Sequence, residues 1–328
     1  MTSFGELTAA GRLRRLRRVA AAALAHYAVG ECRLSLLADS FNTLFRVTAA
    51  AGSFVLRVGP AERIHRSGAA RAEAGWTGSL AARGLPVPRV IAARDGSASV
   101  TVSSPGVPGP RECALLSWTP GHRLRRPVGA GEARDLGRLC ARFHAVPADR
   151  SRLPAGVLDG RSALLFDIPN RLGELSAGYG SLFADALTVA QDAIDALWRS
   201  AARPPRLLHG DLTPANVLRT RRGLAAVDFQ DMAWGHEEQD LAHTMFGLSR
   251  DDAGTGAITG ALRAGYTELR PWPEIDQALL AGLFAARRLV MVNLALSLRR
   301  PGLDDYVAHH AAALRGYLGQ AKGVRPSR

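Results

Sequence analysis

Two short apolar runs in this chain each stop at an acid, and the stretch holding them constrains the fold more than any other. Leu207-Leu208 leads into His209-Gly210-Asp211, and a run around Ala226 leads into Val227-Asp228. Runs this short cannot form helices and read as strands. Between them lies Leu212-Thr213-Pro214-Ala215-Asn216, a tight loop whose backbone Pro214 stiffens. Strand-end loops are where a rigid scaffold carries function. Asp211 and Asn216 are therefore expected to face one cavity, with Asp228 twelve residues beyond Asn216.

Those three side chains make a chemical set. A carboxylate can orient an alcohol and accept its proton, while an amide oxygen and a second carboxylate can hold a divalent metal against phosphate oxygens. Transfer of a phosphoryl group to a hydroxyl needs that combination. Asp211 is the candidate catalytic group, and Asn216 and Asp228 are the candidate Mg2+ ligands. The plainer alternatives are a helix cap for Asp211 and turn residues for the other two. His209 is expected to hold the loop by hydrogen bonds, since its neighbour Asp211 already fits the acceptor role.

The surroundings divide in two. Residues 7–28 read as a helix rich in Ala, Leu and Arg, followed by strands over 33–37, 43–48 and 53–58 with turns at 39–42 and 49–52. A helix over 67–83 and strands over 87–92, 100–102 and 113–118 complete a small, mainly antiparallel sheet. Beyond Pro120-Gly121 the pattern turns helical: 130–145, 183–201, 237–248, 257–269, 275–298 and 304–320. An α+β fold is expected, with a β-rich domain over 1–118 and a mainly helical one over 119–328.

The order His209-Gly210-Asp211-Leu212-x-Pro214-x-Asn216-Val217-Leu218, then Val227-Asp228-Phe229-Gln230-Asp231, then Asp240-Leu241-Ala242, resembles the aminoglycoside phosphotransferase and choline-kinase-like branch of the protein-kinase-like fold. Residues 42–47, Phe54-Val55-Leu56-Arg57-Val58 and 115–121 extend the likeness, so that it spans most of 35–248. The resemblance implies a two-lobed fold with an antiparallel-sheet N-lobe for nucleotide and a helical C-lobe for catalysis and acceptor. It implies ATP and Mg2+, and a small-molecule hydroxyl acceptor such as an antibiotic, an amino alcohol or a sugar-like compound. By the same likeness Asp240 would brace the catalytic loop. Leu116, Ser117 and Trp118 would offer backbone groups to adenine, and Ser40, Asn42 and Thr43 would lie over the phosphates. Many kinases carry a phosphate-binding lysine on the third strand, where this chain has Arg57. Arginine can bind phosphate through its planar fork of donors. Glu73, sixteen residues on, is the natural partner for Arg57. A bacterial protein Ser/Thr kinase and a nucleotide-binding pseudokinase are the alternatives.

Charge bears on partners. The formal net charge is +13, and Lys322 is the only lysine among 42 basic residues. Basic residues are not interleaved with aromatics as a base-stacking platform requires, so no nucleic-acid partner is expected. Residues 228–240 reverse the sign, with five acids and no Arg or Lys. Asp231, Glu237 and Glu238 are candidates to receive a cationic group on the acceptor, or else acids that open a helix. Trp272 is a candidate for the acceptor pocket, with core packing as the alternative. Arg287, Arg288, Arg299 and Arg300, on or beside the late helix, are expected to solvate it, with contact to an anionic acceptor as the alternative. Cys32, Cys113 and Cys140 suggest neither a disulfide framework nor a zinc site, and a reducing cytoplasm fits. The apolar run 289–298 is too short to span a bilayer, so no membrane partner is expected. The arginines of residues 12–18 open a helix here, not a signal peptide.

Overall fold

The computed structural model describes residues 3–249, 255–299 and 302–323, which form two compact units. The first comprises residues up to Arg63, Ser67–Pro120 and Pro154–Gly156; the second takes Ile64–Arg66, Gly121–Leu153 and the chain from Val157 on.

In the first unit, helix α1 (Ala9–Leu24) precedes strands β1 (Cys32–Asp39), β2 (Thr43–Ala49) and β3 (Gly52–Val58). Helix α2 (Ala69–Ala82) follows, then β4 (Val90–Ile91), β5 (Val100–Val102) and β6 (Arg111–Ser117). The strands form one antiparallel sheet in the order β1-β2-β3-β6-β4, with β5 on β6. Strand β2 buries Thr43, Phe45 and Val47 and leaves the residues between them partly exposed, the two-residue alternation of a half-buried strand. Helix α1 lays Leu16, Val19, Ala20, Ala23 and Leu24 on Phe45, Val47, Leu56, Val58 and Leu115. Each such buried Leu, Val or Phe is worth roughly 1.5–3 kcal/mol. The arginines of α1 keep off that face; Arg15 and Arg17 donate instead to the carbonyls of Gly106 and Leu34. The basic opening stretch is thus a core helix whose charged heads reach solvent. The strand expected over 87–92 shrinks to Val90–Ile91, because Pro86 and Pro88 have no N–H to give a ladder.

The second unit holds β7 (His122–Arg123), α3 (Ala130–His144), β8 (Leu158–Asp159), α4 (Ala177–Ser200), β9 (Arg206–Leu208), β10 (Val217–Thr220), β11 (Gly223–Ala226) and β12 (Ala233–Gly235). Helices α5 (Glu237–Leu248), α6 (Thr255–Thr267), α7 (Gln277–Ser297) and α8 (Leu303–Gly323) complete it. Two three-stranded sheets, β11-β10-β7 and β8-β12-β9, carry the loops of interest. Helix α7 is long and apolar enough to cross a membrane by length and composition, with a mean hydropathy of 1.7. It is the central core helix of this unit: Leu283, Ala285, Ala286, Leu289, Val292 and Leu296 pack with Phe183, Ile194, Ala311 and Leu314. Of the four arginines expected on this helix's surface, Arg300 lies outside the described residues.

Helices α3 and α6 cross at glycine. A Cβ at Gly265 would lie 1.9 Å from the Arg134 carbonyl oxygen, and one at Gly137 would lie 2.0 Å from that of Leu262. Backbone cannot yield as a side-chain tip can, so Gly265→Ala should destabilise the unit by about 1–3 kcal/mol or more. Gly260→Ala on the same helix meets nothing within 4 Å and should be neutral or stabilising. Chemical denaturation of the two variants checks the contrast.

Candidate active site

The loop after β9 is shaped by its own side chains. Pro214–Asn216 forms a single 3-10 turn with extended Thr213 before it. That turn folds Asn216 back so that its Nδ2 donates to both the Asp211 main-chain oxygen and Asp211 Oδ2, each at 2.9 Å. These bonds take up the donor end of the amide and leave Oδ1 as the oxygen it can offer. The Val227 N–H donates to the Asn216 carbonyl at 2.9 Å, which ties the approach to Asp228 to the same loop. His209 Nε2 lies 3.2 Å from the Val227 carbonyl oxygen, and its ring lies 4.4 Å from that of Phe229. Asp228 is exposed and sits at φ 66°, a left-handed conformation that Asp tolerates better than most residues but that is still uncommon. Gly210 at φ 81° is obligatory, because a Cβ there would lie 1.8 Å from the Asp231 carbonyl oxygen.

One face of α5 grips the loop from below. Asp240 Oδ2 accepts from the His209 N–H at 3.1 Å and Oδ1 from the Gly210 N–H at 2.9 Å. His243 Nδ1 lies 2.7 Å from the Gly210 carbonyl oxygen, and Thr244 Oγ1 donates to that of Leu212 at 2.7 Å. Positions 240, 243 and 244 share a helical face. Burial would raise the Asp240 carboxyl, but His144, 3.2 Å away, and the nearby His209 and His243 hold it at about 2. Burial pushes His243 down to about 4, so it is neutral at pH 7.

Above the loop, charges converge. Arg287 of α7 donates from Nη2 to Asp211 Oδ1 at 2.6 Å; the two side chains are only 12% and 21% exposed. This overturns the expectation that Arg287 merely solvates its helix. Its neighbour Arg288 faces elsewhere, 5.1 Å over the Phe246 ring. Burial pushes the Asp211 carboxyl up to about 7; Arg287 and Asn216 pull it back, while Asp231 and Asp228 add to the rise. Asp231 pairs with His65 Nε2 at 2.8 Å. Burial acts to raise the Asp231 carboxyl, but His65 and Arg287 hold it below its usual value. Arg287 and His65 are the partners that sequence reasoning missed, lying 76 and 166 residues from the acids they touch.

Other expected residues have partners of their own. Glu237 is buried against Arg203, Arg206 and Arg270 and accepts from Tyr266 Oη, so no face is left for an acceptor amine. Glu238 is 6% exposed, and burial pushes its carboxyl up. Both open α5. Trp272 packs edge-on to Tyr266, with ring centroids 5.4 Å apart. In the first unit, Arg57 on β3 makes two bonds to Glu73 on α2, at 3.0 and 2.5 Å, with both residues buried. Thr43 Oγ1 donates to Asp39, and the Ser40 N–H donates to the Asn42 carbonyl. Leu116 lies in the β6 ladder opposite Val55 and Val90. The Ser117 N–H donates to the Arg89 carbonyl, and Trp118 lies under the Arg46 guanidinium at 4.5 Å.

The chain matches the phosphotransferase enzyme family model over residues 35–275. A homoserine kinase of Xanthobacter autotrophicus is 28% identical over 222 residues, 66% of this chain and 65% of that protein. A homoserine kinase of Azorhizobium caulinodans is 28% identical over 265 residues, 77% of each. The chain thus spans about two thirds of the length of the first relative. Among solved structures, the microcompartment-associated aminopropanol kinase superposes with a TM-score of 0.71 at 24% identity, covering 94% of this chain and 99% of that one. That likeness is one of fold, the α+β protein-kinase-like arrangement.

Proposed function

We propose, from the premise that this chain belongs to the phosphotransferase enzyme family, that it moves the γ-phosphoryl group of ATP to the hydroxyl of a small, amine-bearing alcohol. The observation that carries the reading is the Asp211 carboxylate, held by Asn216 and raised to about 7, a value suited to taking a proton near neutral pH. The acceptor oxygen bonds to the γ-phosphorus as the bond from that phosphorus to the β,γ-bridging oxygen breaks. ADP departs, and the hydroxyl proton passes to an Asp211 oxygen. Asn216 Oδ1 and the exposed Asp228 carboxylate are hard oxygen donors, one neutral and one charged, and fit Mg2+. A bound Mg2+ offsets charge on the phosphates. His209 and Asp240 hold the loop that aims Asp211. The first unit serves the nucleotide: Arg57, oriented by Glu73, is the cation for its phosphates. The Ser117 N–H is already used, so adenine contacts fall at and beyond Trp118.

Two considerations support this acceptor class. The relatives named above are kinases of homoserine and of aminopropanol, both amine-bearing alcohols. Within the acidic stretch, Asp231 keeps a partly exposed carboxylate, 22%, while Glu237 and Glu238 are buried; Asp231 is the group for a substrate ammonium. The role is metabolic, and three free cysteines suit the reducing cytoplasm. ADP release measured across L-homoserine, 3-aminopropan-1-ol, choline, a monosaccharide, an aminoglycoside and a basic protein tests this. Turnover should favour the small amino alcohols over the aminoglycoside by roughly 100-fold or more in kcat/KM. Phosphorylation of the protein alone, or ATP binding with no turnover on any acceptor, would sink the reading.

A further inference from the structure

We infer that Arg287 reads a carboxylate on the acceptor, making the preferred acceptor a hydroxylated amino acid and not its decarboxylated amino alcohol; this rests on the kinase reading above. The starting point is a contact that works against the chemistry. Asn216 occupies one oxygen of Asp211 and Arg287 the other. A hydroxyl that is to lose its proton to Asp211 must reach one of them, and the Arg287 oxygen is the one not tied into the loop. An incoming hydroxyl competes with the guanidinium for that oxygen, and a largely buried cation that gives up one anion takes another.

Arg287 is built for that exchange. Asp211 is its one hydrogen-bond partner among the described residues, through a single Nη2. A guanidinium has five N–H donors in a rigid fork, and two parallel ones match a carboxylate. The side chain is 12% exposed, which strengthens any charged bond it makes. Its helix is packed into the core over most of its length, so the head is presented without a long search of conformations. Close by stands the opposite charge. Asp231 is within electrostatic reach of both Asp211 and Arg287. A cation on one proton acceptor, with an anion within electrostatic reach of both, matches the carboxylate and ammonium of a zwitterion whose side chain ends in a hydroxyl. The competing destination for Arg287 is the transferring phosphoryl group, and the experiment separates the two.

L-Homoserine and 3-aminopropan-1-ol differ only in the carboxylate, so the pair isolates its contribution. Steady-state kinetics of the full chain should show kcat/KM for homoserine higher by about 100-fold, the worth of a desolvated charged pair. Arg287→Met should raise the homoserine KM by about 100-fold with kcat changed only a few-fold, a loss far larger than any change on 3-aminopropan-1-ol. Arg287→Lys should recover part of the homoserine affinity, and cooperative thermal melts of both variants show that they fold. Equal use of the two acceptors by the parent protein overturns the inference without any variant. A similar loss on both acceptors in Arg287→Met also overturns it and assigns Arg287 to the phosphoryl group or to Asp211. Turnover of neither acceptor, with turnover of a sugar or an antibiotic, overturns the acceptor class and the role of Arg287 together.

Discussion

Asp211→Asn should lower kcat/KM by about 10³–10⁴ while leaving ATP affinity nearly unchanged. The amide keeps the shape but has one acceptor oxygen where Asp211 has two, so it can accept from only one of Arg287 and Asn216, and it cannot take the hydroxyl proton. The loss should fall on kcat, because proton acceptance is needed in the transition state and not for binding. The stability of the same variant relative to the parent should depend on pH. Asp211 titrates near 7 in the fold and near 3.9 in the unfolded chain. Between those values the native protein keeps a proton that the unfolded chain has released, so folding stability falls as pH rises through the window. The penalty is absent below about pH 4 and complete above about pH 7. Asparagine carries no charge and escapes it. Allowing for partial solvent access, the variant should gain roughly 1–2 kcal/mol at pH 8 relative to its difference at pH 4. Urea melts at the two pH values, beside a coupled ADP assay, read both effects. Full activity in the variant would remove Asp211 from the chemistry.

Asp240→Ala should cost about 3–5 kcal/mol, the penalty of breaking a buried charged network by removing one partner. Its two oxygens serve the His209 and Gly210 N–H groups and face His144. Removing them strands buried donors that water cannot reach. Because the carboxyl is held near 2, below its unfolded value, its contribution is present above about pH 4 and fades as pH falls toward 2. Thr244→Val, which removes one neutral bond to the Leu212 carbonyl, should cost only about 1 kcal/mol. Denaturant unfolding followed through the tryptophans of the second unit ranks the two. A loss as small for Asp240→Ala as for Thr244→Val would mean that the loop holds its shape unaided.

Much of this arrangement is legible along the chain, and the remainder has a physical reason for being hidden. Local patterns carry through. The two apolar runs are β9 and β11, α5 spans Glu237–Leu248 as its pattern indicates, and Arg57 faces Glu73 at a separation that fits strand, loop and helix. Strands of two or three residues, such as β8 and β12, have no room for alternation, and pairing across the sheet defines them. Helix α4 starts at Ala177, six residues before the expected position, because packing overrides the low helix propensity of Gly178 and Gly180. The run of acids at 228–240 reads as one patch but folds into three environments. Asp228 is exposed to solvent, Asp231 is bonded to His65, and Glu237, Glu238 and Asp240 are buried. Arg287 could not be found by spacing, since only tertiary folding brings α7 to Asp211.

Helix α7 is also the structural spine of its unit. It shares one core cluster with α4 and α8, and through Val290 and Leu294 it joins a second around Leu158, Phe166 and Ala233. A helix anchored on both sides cannot be shifted or rotated without disrupting two cores. Divergence of acceptor choice in such a scaffold is confined to exchanging the side chain at position 287 and its immediate neighbours, and loop remodelling has little purchase on it. Evolution toward new acceptors should therefore run through a few discrete substitutions, each arriving with its change in specificity intact and little gradation between them.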